Sequence, residues 1–297
     1  MRRIFTYEIN DETTPITILN YLKRLGYSQP VVRHLKETPE GILKNGIWAR
    51  VNETLVSGDV LTIRLIEDGG SDIIPTEIPL DIVYEDEDLL IVNKPAKLPV
   101  HPSQGNHTHT LANGLAYYFQ SQGDAFTFRC MNRLDRDTTG LLIVAKHMLS
   151  AAILSVMISN REIHREYLAI ASGETPLSGT IIAPIARVHD STIERCVDET
   201  QGEYACTHYK RLSYQNGYSL VSLHLDTGRT HQIRVHMKYI GHPLPGDFLY
   251  NPDYSVIDRQ ALHSHRLNFV HPITGERMEF VAELPEDMKW ILNDGLS

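Results

Sequence analysis

An aspartate set among arginines, in Arg133-Leu134-Asp135-Arg136-Asp137-Thr138-Thr139-Gly140, is the stretch of this chain best placed to do chemistry. The apolar run Leu141-Leu142-Ile143-Val144-Ala145 follows at once, so the turn abuts a buried strand that can hold it rigid. A carboxylate between guanidinium groups is favoured in its charged form, which makes Asp135 a candidate nucleophile. The same letters also suit a plain turn, in which Asp and Thr side chains hydrogen-bond their own backbone. The turn alone does not separate the two readings, and the decision falls to the rest of the chain.

Metal-dependent motifs compete for these letters. Asp135-x-Asp137-x-Thr139-Gly140 opens like a calcium loop, but the twelfth position is Lys146, where a bidentate Glu is needed. The Asp-x-Asp-x-Thr spacing also resembles the haloacid-dehalogenase phosphatases, whose nucleophile follows an apolar strand. Here the apolar run comes after the motif, and Cys130-Met131-Asn132-Arg133 comes before it. His101, His107 and His109 share a proline-held loop without the Cys or carboxylate partners of a tetrahedral site. His231 and His236 are five apart, whereas a zinc-binding helix spaces them by four with Glu between. No metal is therefore expected.

A further pattern spans far more of the chain. Asn93-Lys94-Pro95 and Val100-His101-Pro102 precede the Asp135 turn, and Arg165-Glu166-Tyr167-Leu168-Ala169 follows it. Thr227-Gly228-Arg229-Thr230-His231-Gln232-Ile233-Arg234-Val235-His236 comes next, with Leu262-His263 and Phe269-x-His271-Pro272 near the end. In type and order these motifs resemble the RluA-type (RluA/RluD-like) pseudouridine synthases, from about Ile82 to the C-terminus. The resemblance implies an α+β fold, the pseudouridine synthase fold, with a large, mostly antiparallel mixed β-sheet and flanking helices. It implies isomerisation of specific uridines in structured RNA to pseudouridine, first in 23S ribosomal RNA and alternatively in tRNA, without a cofactor.

Residue by residue, the resemblance makes Asp135 the nucleophile, Arg234 its ion-pair partner and Tyr167 the ring that stacks on uracil. Arg133, Arg136 and Arg229 would grip phosphates of a nucleotide flipped from its helix, since the reacting atoms are unreachable in a stack. His231, Asn132 and Leu262 complete the substrate-binding set. Asn132 stands where the family commonly has His, and an amide carries no charge at neutral pH. Arg165 stands where Lys is usual, which preserves the charge.

The elements that must position these groups can be read along the chain. Residues 1–68 pattern as a small α/β module similar to the S-four RNA-binding type: a strand over Ile4 to Ile9, a helix from Thr14-Pro15 to Gly26, and a second from Pro30. Strands over Ile47 to Val51 and Val60 to Ile66 follow the Asn45-Gly46 turn. Residues 69–80, with Gly69-Gly70-Ser71, Pro75 and Pro79, read as a linker, and 81–297 as the catalytic domain. There a hairpin (Ile82 to Asn93), a helix from Thr110, and strands over Leu141 to Ala145 and Arg165 to Ala171 precede a helix expected to begin at Gly228-Arg229-Thr230. A helix start there would place Arg229 at a ready anion site.

Composition bounds the alternatives. The formal net charge of −9 excludes a protein that coats nucleic acid indiscriminately, so RNA contact must be local; Lys210, Arg211, Arg229, Arg234 and Lys238 are candidates for a basic cleft. Three cysteines without close spacing indicate neither a disulfide framework nor a zinc knuckle. No signal peptide and no apolar run of about 20 residues is present, and a cytoplasmic monomer is expected. A non-catalytic RNA-binding protein is the alternative from another class, with a haloacid-dehalogenase-like phosphatase beside it.

Overall fold

The alternating stretch at the start becomes strand β1 (Arg2–Glu8), and its partner lies nearly sixty residues on. In the computed structural model, which describes residues 1–10, 14–69, 72–103 and 105–293, the intervening elements are β2 (Ile16–Thr17), α1 (Ile18–Arg24), α2 (Gln29–Glu37), β3 (Ile42–Lys44), β4 (Ile47–Trp48), β5 (Thr54–Leu55) and β6 (Val60–Ile66). β1 and β6 pair antiparallel, and the sheet order is β1-β6-β3-β4. Period-two alternation turns Leu61, Ile63 and Leu65 of β6 inward against Ile18, Leu22 and Leu35 of the two helices.

Two sequence expectations change here. The helix expected from Thr14-Pro15 starts only at Ile18, because Ile16–Thr17 pair with Thr54–Leu55 as strand and Thr17 caps the helix, its hydroxyl accepting the Asn20 N–H. The strand expected over Ile47 to Val51 stops at Trp48.

The remaining elements are β7 (Ile82–Glu85), β8 (Leu89–Lys94), α3 (Leu111–Ser121), β9 (Thr139–Ala145), α4 (Met148–Ser159), β10 (His164–Ser172), β11 (Ser178–Ile182), β12 (Ile185–Arg187), β13 (Arg195–Val197), β14 (Cys206–Gln215), β15 (Tyr218–Leu225), α5 (Gln232–Tyr239), β16 (Leu262–Val270), β17 (Arg277–Val281) and α6 (Glu286–Leu292). A nine-stranded sheet runs β11-β14-β15-β10-β16-β9-β8-β7, with β17 also on β16. Among the described residues its pairings are antiparallel except β9 with β16. This is the expected α+β fold with a large mixed sheet.

β9 explains its own sequence. Leu142 and Val144 face one core with Leu115, Phe119 and Tyr167, while Leu141, Ile143 and Ala145 face another with Leu154 and Met157 of α4. A strand covered on both faces reads as a continuous apolar run rather than an alternation. At its start Gly140 has φ +107°, and a Cβ there would lie 2.2 Å from the Ser264 carbonyl oxygen. Only glycine permits that approach, and it presses the Asp135 turn against the beginning of β16.

The segment expected as a linker contains Gly70 and Ser71, which lie outside the described residues. Its later part carries no helix or strand but is anchored: Ile78 and Leu80 pack on the main core, and the Asn113 side chain donates to the Ile74 carbonyl. The small sheet packs on the large unit through Met148, Leu149 and Ile153 of α4. Arg3 donates to Asp88 at 2.8 Å, Asp88 pairs with His147 at 2.9 Å, and Glu67 pairs with Arg129. Among the described residues, no helix is long and apolar enough to cross a membrane.

Candidate active site

α5 carries Arg234 inward, 1 % exposed. A buried guanidinium must be paired or it unfolds its surroundings, and two carboxylates meet it. Its Nη1 donates to Asp135 Oδ2 at 2.7 Å, while Nε and Nη2 donate to the two oxygens of Asp247, each at 2.7 Å. Asp247 is fully buried and also accepts the backbone N–H groups of Leu249 and Tyr250. Burial alone would lower the Arg234 pKa, but the hydrogen bonds and charges of Asp247 and Asp135 outweigh it and hold the group above its ordinary range. The rings of Tyr250 and Phe248 lie 5.0 and 5.5 Å from the guanidinium carbon. These contacts hold the Arg234 guanidinium with its Nη1 directed at Asp135.

His231 stands just before α5 with φ 59°. Its Nδ1 meets the Tyr250 hydroxyl at 2.9 Å, and its Nε2 lies 3.8 Å from Asp135 Oδ1, beyond hydrogen-bond reach. Burial pushes the His231 pKa down, against the pull of Asp135, which favours the neutral ring. Gln232 is the first helical residue. Its side-chain oxygen accepts the Thr227 hydroxyl and the Arg229 N–H, and its amide nitrogen donates to the Cys206 carbonyl and the Thr207 hydroxyl. These bonds fasten the loop before α5 to β14.

That loop corrects one expectation. The helix begins at Gln232 rather than at Gly228, so Arg229 is not at a helix start. It lies in the loop, its guanidinium paired with Glu203 and donating to the Tyr204 carbonyl at 3.1 Å.

The Asp135 side chain remains 28 % exposed and opens onto a narrow cleft of about 70 Å³. Arg133, Thr138, Tyr167, Leu225, Arg229, His231, Ile233 and Leu262 are among its lining residues. Seven of the nine residues singled out from sequence therefore converge here: Asp135, Tyr167, Arg234, Arg133, Arg229, His231 and Leu262. Arg133 donates to the Thr230 hydroxyl at 3.1 Å, bridging the Asp135 turn to the loop before α5. Arg136 and Asn132 do not line the cleft. Arg136 folds back onto Asp137 at 2.7 Å. Asn132 is buried, donating to the Leu141 carbonyl at 3.3 Å and accepting the Ile143 N–H at 2.9 Å; a neutral amide can do both at once, which ties the turn to β9. Behind the turn, fully buried Lys94 donates to the Pro95 and Arg136 carbonyls at 2.7 and 2.8 Å, and burial pushes its pKa down to about 7.

Comparison with known proteins bears on what this arrangement is for. The family described as RNA pseudouridylate synthase matches residues 88–239, a span that holds Asp135, Tyr167, His231 and Arg234. The chain is 40% identical over 279 residues to the uncharacterized RNA pseudouridine synthase YjbO of Bacillus subtilis (strain 168), covering 93% of this chain and 98% of that protein. It belongs to the RNA pseudouridine synthase family. Within that family this synthase is RluA/RluD-like: it is 39% identical over 262 residues to Ribosomal large subunit pseudouridine synthase D of Escherichia coli (strain K12), covering 83% of this chain and 80% of that protein. Human RNA Pseudouridylate Synthase Domain Containing 1 superimposes with a TM-score of 0.58 at 29% identity, over 69% of this chain and 83% of that one.

Asp247, Gln232 and Tyr250, none of them a candidate from sequence, also hold this arrangement together. Asp247 lies outside the matched span and follows Pro245-Gly246, which reads as an ordinary turn. Gln232 and Tyr250 carried no chemical signal of their own.

Proposed function

We propose that this synthase converts uridine to pseudouridine in 23S ribosomal RNA, with Asp135 as the nucleophile. The observation that carries the reading is the relay Asp247–Arg234–Asp135: a buried, twice-anchored guanidinium holds one carboxylate in a cleft where apolar Leu225, Ile233 and Leu262 meet Arg133, Arg229 and His231. Relatives about 40% identical, named as ribosomal large subunit pseudouridine synthase D in Yersinia pestis and Escherichia coli, favour ribosomal RNA over tRNA.

In the reaction the bond from uracil N1 to ribose C1′ breaks, the base turns, and C5 bonds to C1′ while its hydrogen leaves as a proton and N1 gains one. Atoms balance without an external donor, so the chemistry calls for no cofactor. Asp135 serves either by attacking C1′ or by assisting elimination from the ribose, a covalent or general-base use of one carboxylate. Arg234 fixes the rotamer of that carboxylate, and Tyr167 with Leu225, Ile233 and Leu262 offers a dry surface on which the base can stack. Arg133 and Arg229 at the cleft's edge suit the phosphates flanking a flipped nucleotide. We assign residues 1–68 to RNA docking, 69–80 to a linker and 81–297 to catalysis, in a cytoplasmic monomer; exposed Trp48 beside Lys36 and Arg50 gives the small module a stacking and charge surface.

Mapping pseudouridines across total RNA from cells with and without the gene tests the substrate: a missing site in 23S RNA is expected, and a missing tRNA site would move the assignment. Asp135→Asn should abolish turnover while the variant stays folded and binds RNA, because the two bonds from Asp247 keep the buried Arg234 guanidinium paired. Retained activity rules the nucleophile out.

A further inference from the structure

Cys206 and His208 sit two apart on β14 and so project to the same face, and Asp226 comes beside them just after β15. The Cys206 sulfur is 3.6 Å from His208 Nε2, which is 3.1 Å from Asp226 Oδ2. All three ligand atoms lie within 4.8 Å of one another. A tetrahedral zinc ion, with Zn–S about 2.3 Å and Zn–N and Zn–O about 2.0–2.1 Å, has S···N and N···O edges of about 3.6 and about 3.3 Å. The Cys206–His208 and His208–Asp226 pairs stand within about 0.2 Å of those edges.

We propose that Cys206, His208 and Asp226 form a binding site for a divalent transition-metal ion, zinc first, with water in the fourth position. The donor set is the one a borderline-soft ion takes: thiolate, imidazole and carboxylate. Thiolate and carboxylate together neutralise its two charges. His208 Nδ1 lies 2.9 Å from the Thr180 hydroxyl. Donation from Nδ1–H to that oxygen leaves the Nε2 lone pair for the ion, the usual outer partner of a metal-bound imidazole. Cys206 is buried and its backbone is pinned, N–H to the Thr227 hydroxyl and carbonyl to Gln232. His208 and Asp226 are 45 % and 38 % exposed, which gives the ion a path from solvent.

Tyr204 and Arg161 also face this cluster, and burial together with Asp226 pushes the Cys206 thiol up, so the free thiol is protonated and an ion must displace that proton. Binding releases the thiol proton, so affinity rises with pH. The site lies at the start of β14 and shares a fastening with the loop before α5. Thr227 and Gln232, which hold the loop of Arg229, both bond to Cys206. An ion here would therefore brace that loop without touching the reacting base.

The test is a titration of the metal-free full-length protein with Zn²⁺ against a chromophoric chelator, and with Co²⁺ read by absorption. One equivalent should bind, and Co²⁺ should show a thiolate charge-transfer band that Cys206→Ala lacks. Losing a direct ligand should cost at least as much as losing an outer partner, so His208→Gln and Asp226→Asn should each weaken binding about tenfold or more. Both residues are half exposed, so these variants fold even if the cysteine variant does not. No stoichiometric binding, or binding unchanged in His208→Gln, overturns the site; so does a Co²⁺ complex lacking the thiolate band.

Discussion

Asp247→Asn is the perturbation that most directly probes the relay. The wild-type carboxylate accepts two guanidinium N–H groups at 2.7 Å and two backbone N–H groups at 3.1 and 3.2 Å. Asparagine keeps the shape and one accepting oxygen, but its NH₂ must face one of the arginine donors. One charge-assisted bond is lost, worth about 1.5–3 kcal/mol. The buried guanidinium also loses its fully buried counterion, and breaking such a pair costs about 3–5 kcal/mol in all. Urea denaturation should show a loss in that range. Arg234 would no longer be confined to the rotamer that meets Asp135. If about 2 kcal/mol of that orientation is felt in the transition state, kcat falls about 30-fold while KM for RNA changes little, because Asp247 lies beneath the cleft rather than in it. The assay is tritium release from RNA labelled at uracil C5, beside a denaturation curve. A stability loss with kcat untouched would make Asp247 a structural residue only, and no loss of either would refute the relay.

Other outcomes follow from the same geometry. Tyr167→Ala should cost about 1–3 kcal/mol of base stacking, seen in kcat/KM, whereas Tyr167→Phe keeps the ring and should lose far less; equal losses would transfer the role to the hydroxyl. His263, buried against the Thr139 hydroxyl, has its pKa pushed down to about 4 by burial, from an ordinary 6.5. Between those values the unfolded chain binds a proton that the folded one refuses, so its contribution to stability is intact above about pH 6.5 and is lost as pH falls. The whole shift amounts to about 3 kcal/mol. Denaturation midpoints measured from pH 7 to pH 5 should fall more steeply in the wild type than in His263→Asn, and parallel slopes would show that His263 is not the group responsible.

Where the signal was local, the sequence was legible. β9 announced itself because a strand covered on both faces needs apolar residues throughout, and α3 because Thr110 caps it, its hydroxyl accepting the Asn113 N–H. The Asp135 turn was found for the same reason, as charge placed at a buried strand's edge. What escaped depended on partners far along the chain. Ile16 is strand only because Thr54–Leu55 reach it. The start of α5 was misplaced because Gly228-Arg229-Thr230 has the letters of a helix entry, while the Arg229 N–H and the Thr227 hydroxyl donate to the Gln232 side chain instead. Asp247 acquires its part only once α5 lies above it. Cys206, His208 and Asp226 form no motif until the β14–β15 hairpin closes eighteen residues.

Charge is the one property in which composition and site diverge. Acidic residues outnumber basic ones, yet a second hollow of about 480 Å³ adjoins the Asp135 cleft and is lined by Arg133, Arg187, Arg195 and Arg229 against a single Glu203. Sequence had nominated Lys210 and Arg211 for a basic cleft. Arg211 instead pairs with Glu174, and Lys210 lies opposite Ser178 midway along β14. Arg187 and Arg195 take their place because β12 and β13 pair with these two residues directly opposite one another; the Ile193 and Glu194 carbonyls accept from Arg195, and an anion between the two arginines would relieve the remaining repulsion. On the proposed function that anion is an RNA phosphate. Four phosphate contacts give log K against log salt a slope of about −3, from about −0.7 to −0.9 per contact. Removing Arg187 or Arg195 should therefore make the slope shallower by about one unit each. A slope unchanged in the double variant would mean that the RNA backbone runs elsewhere and that the paired arginines face only solvent.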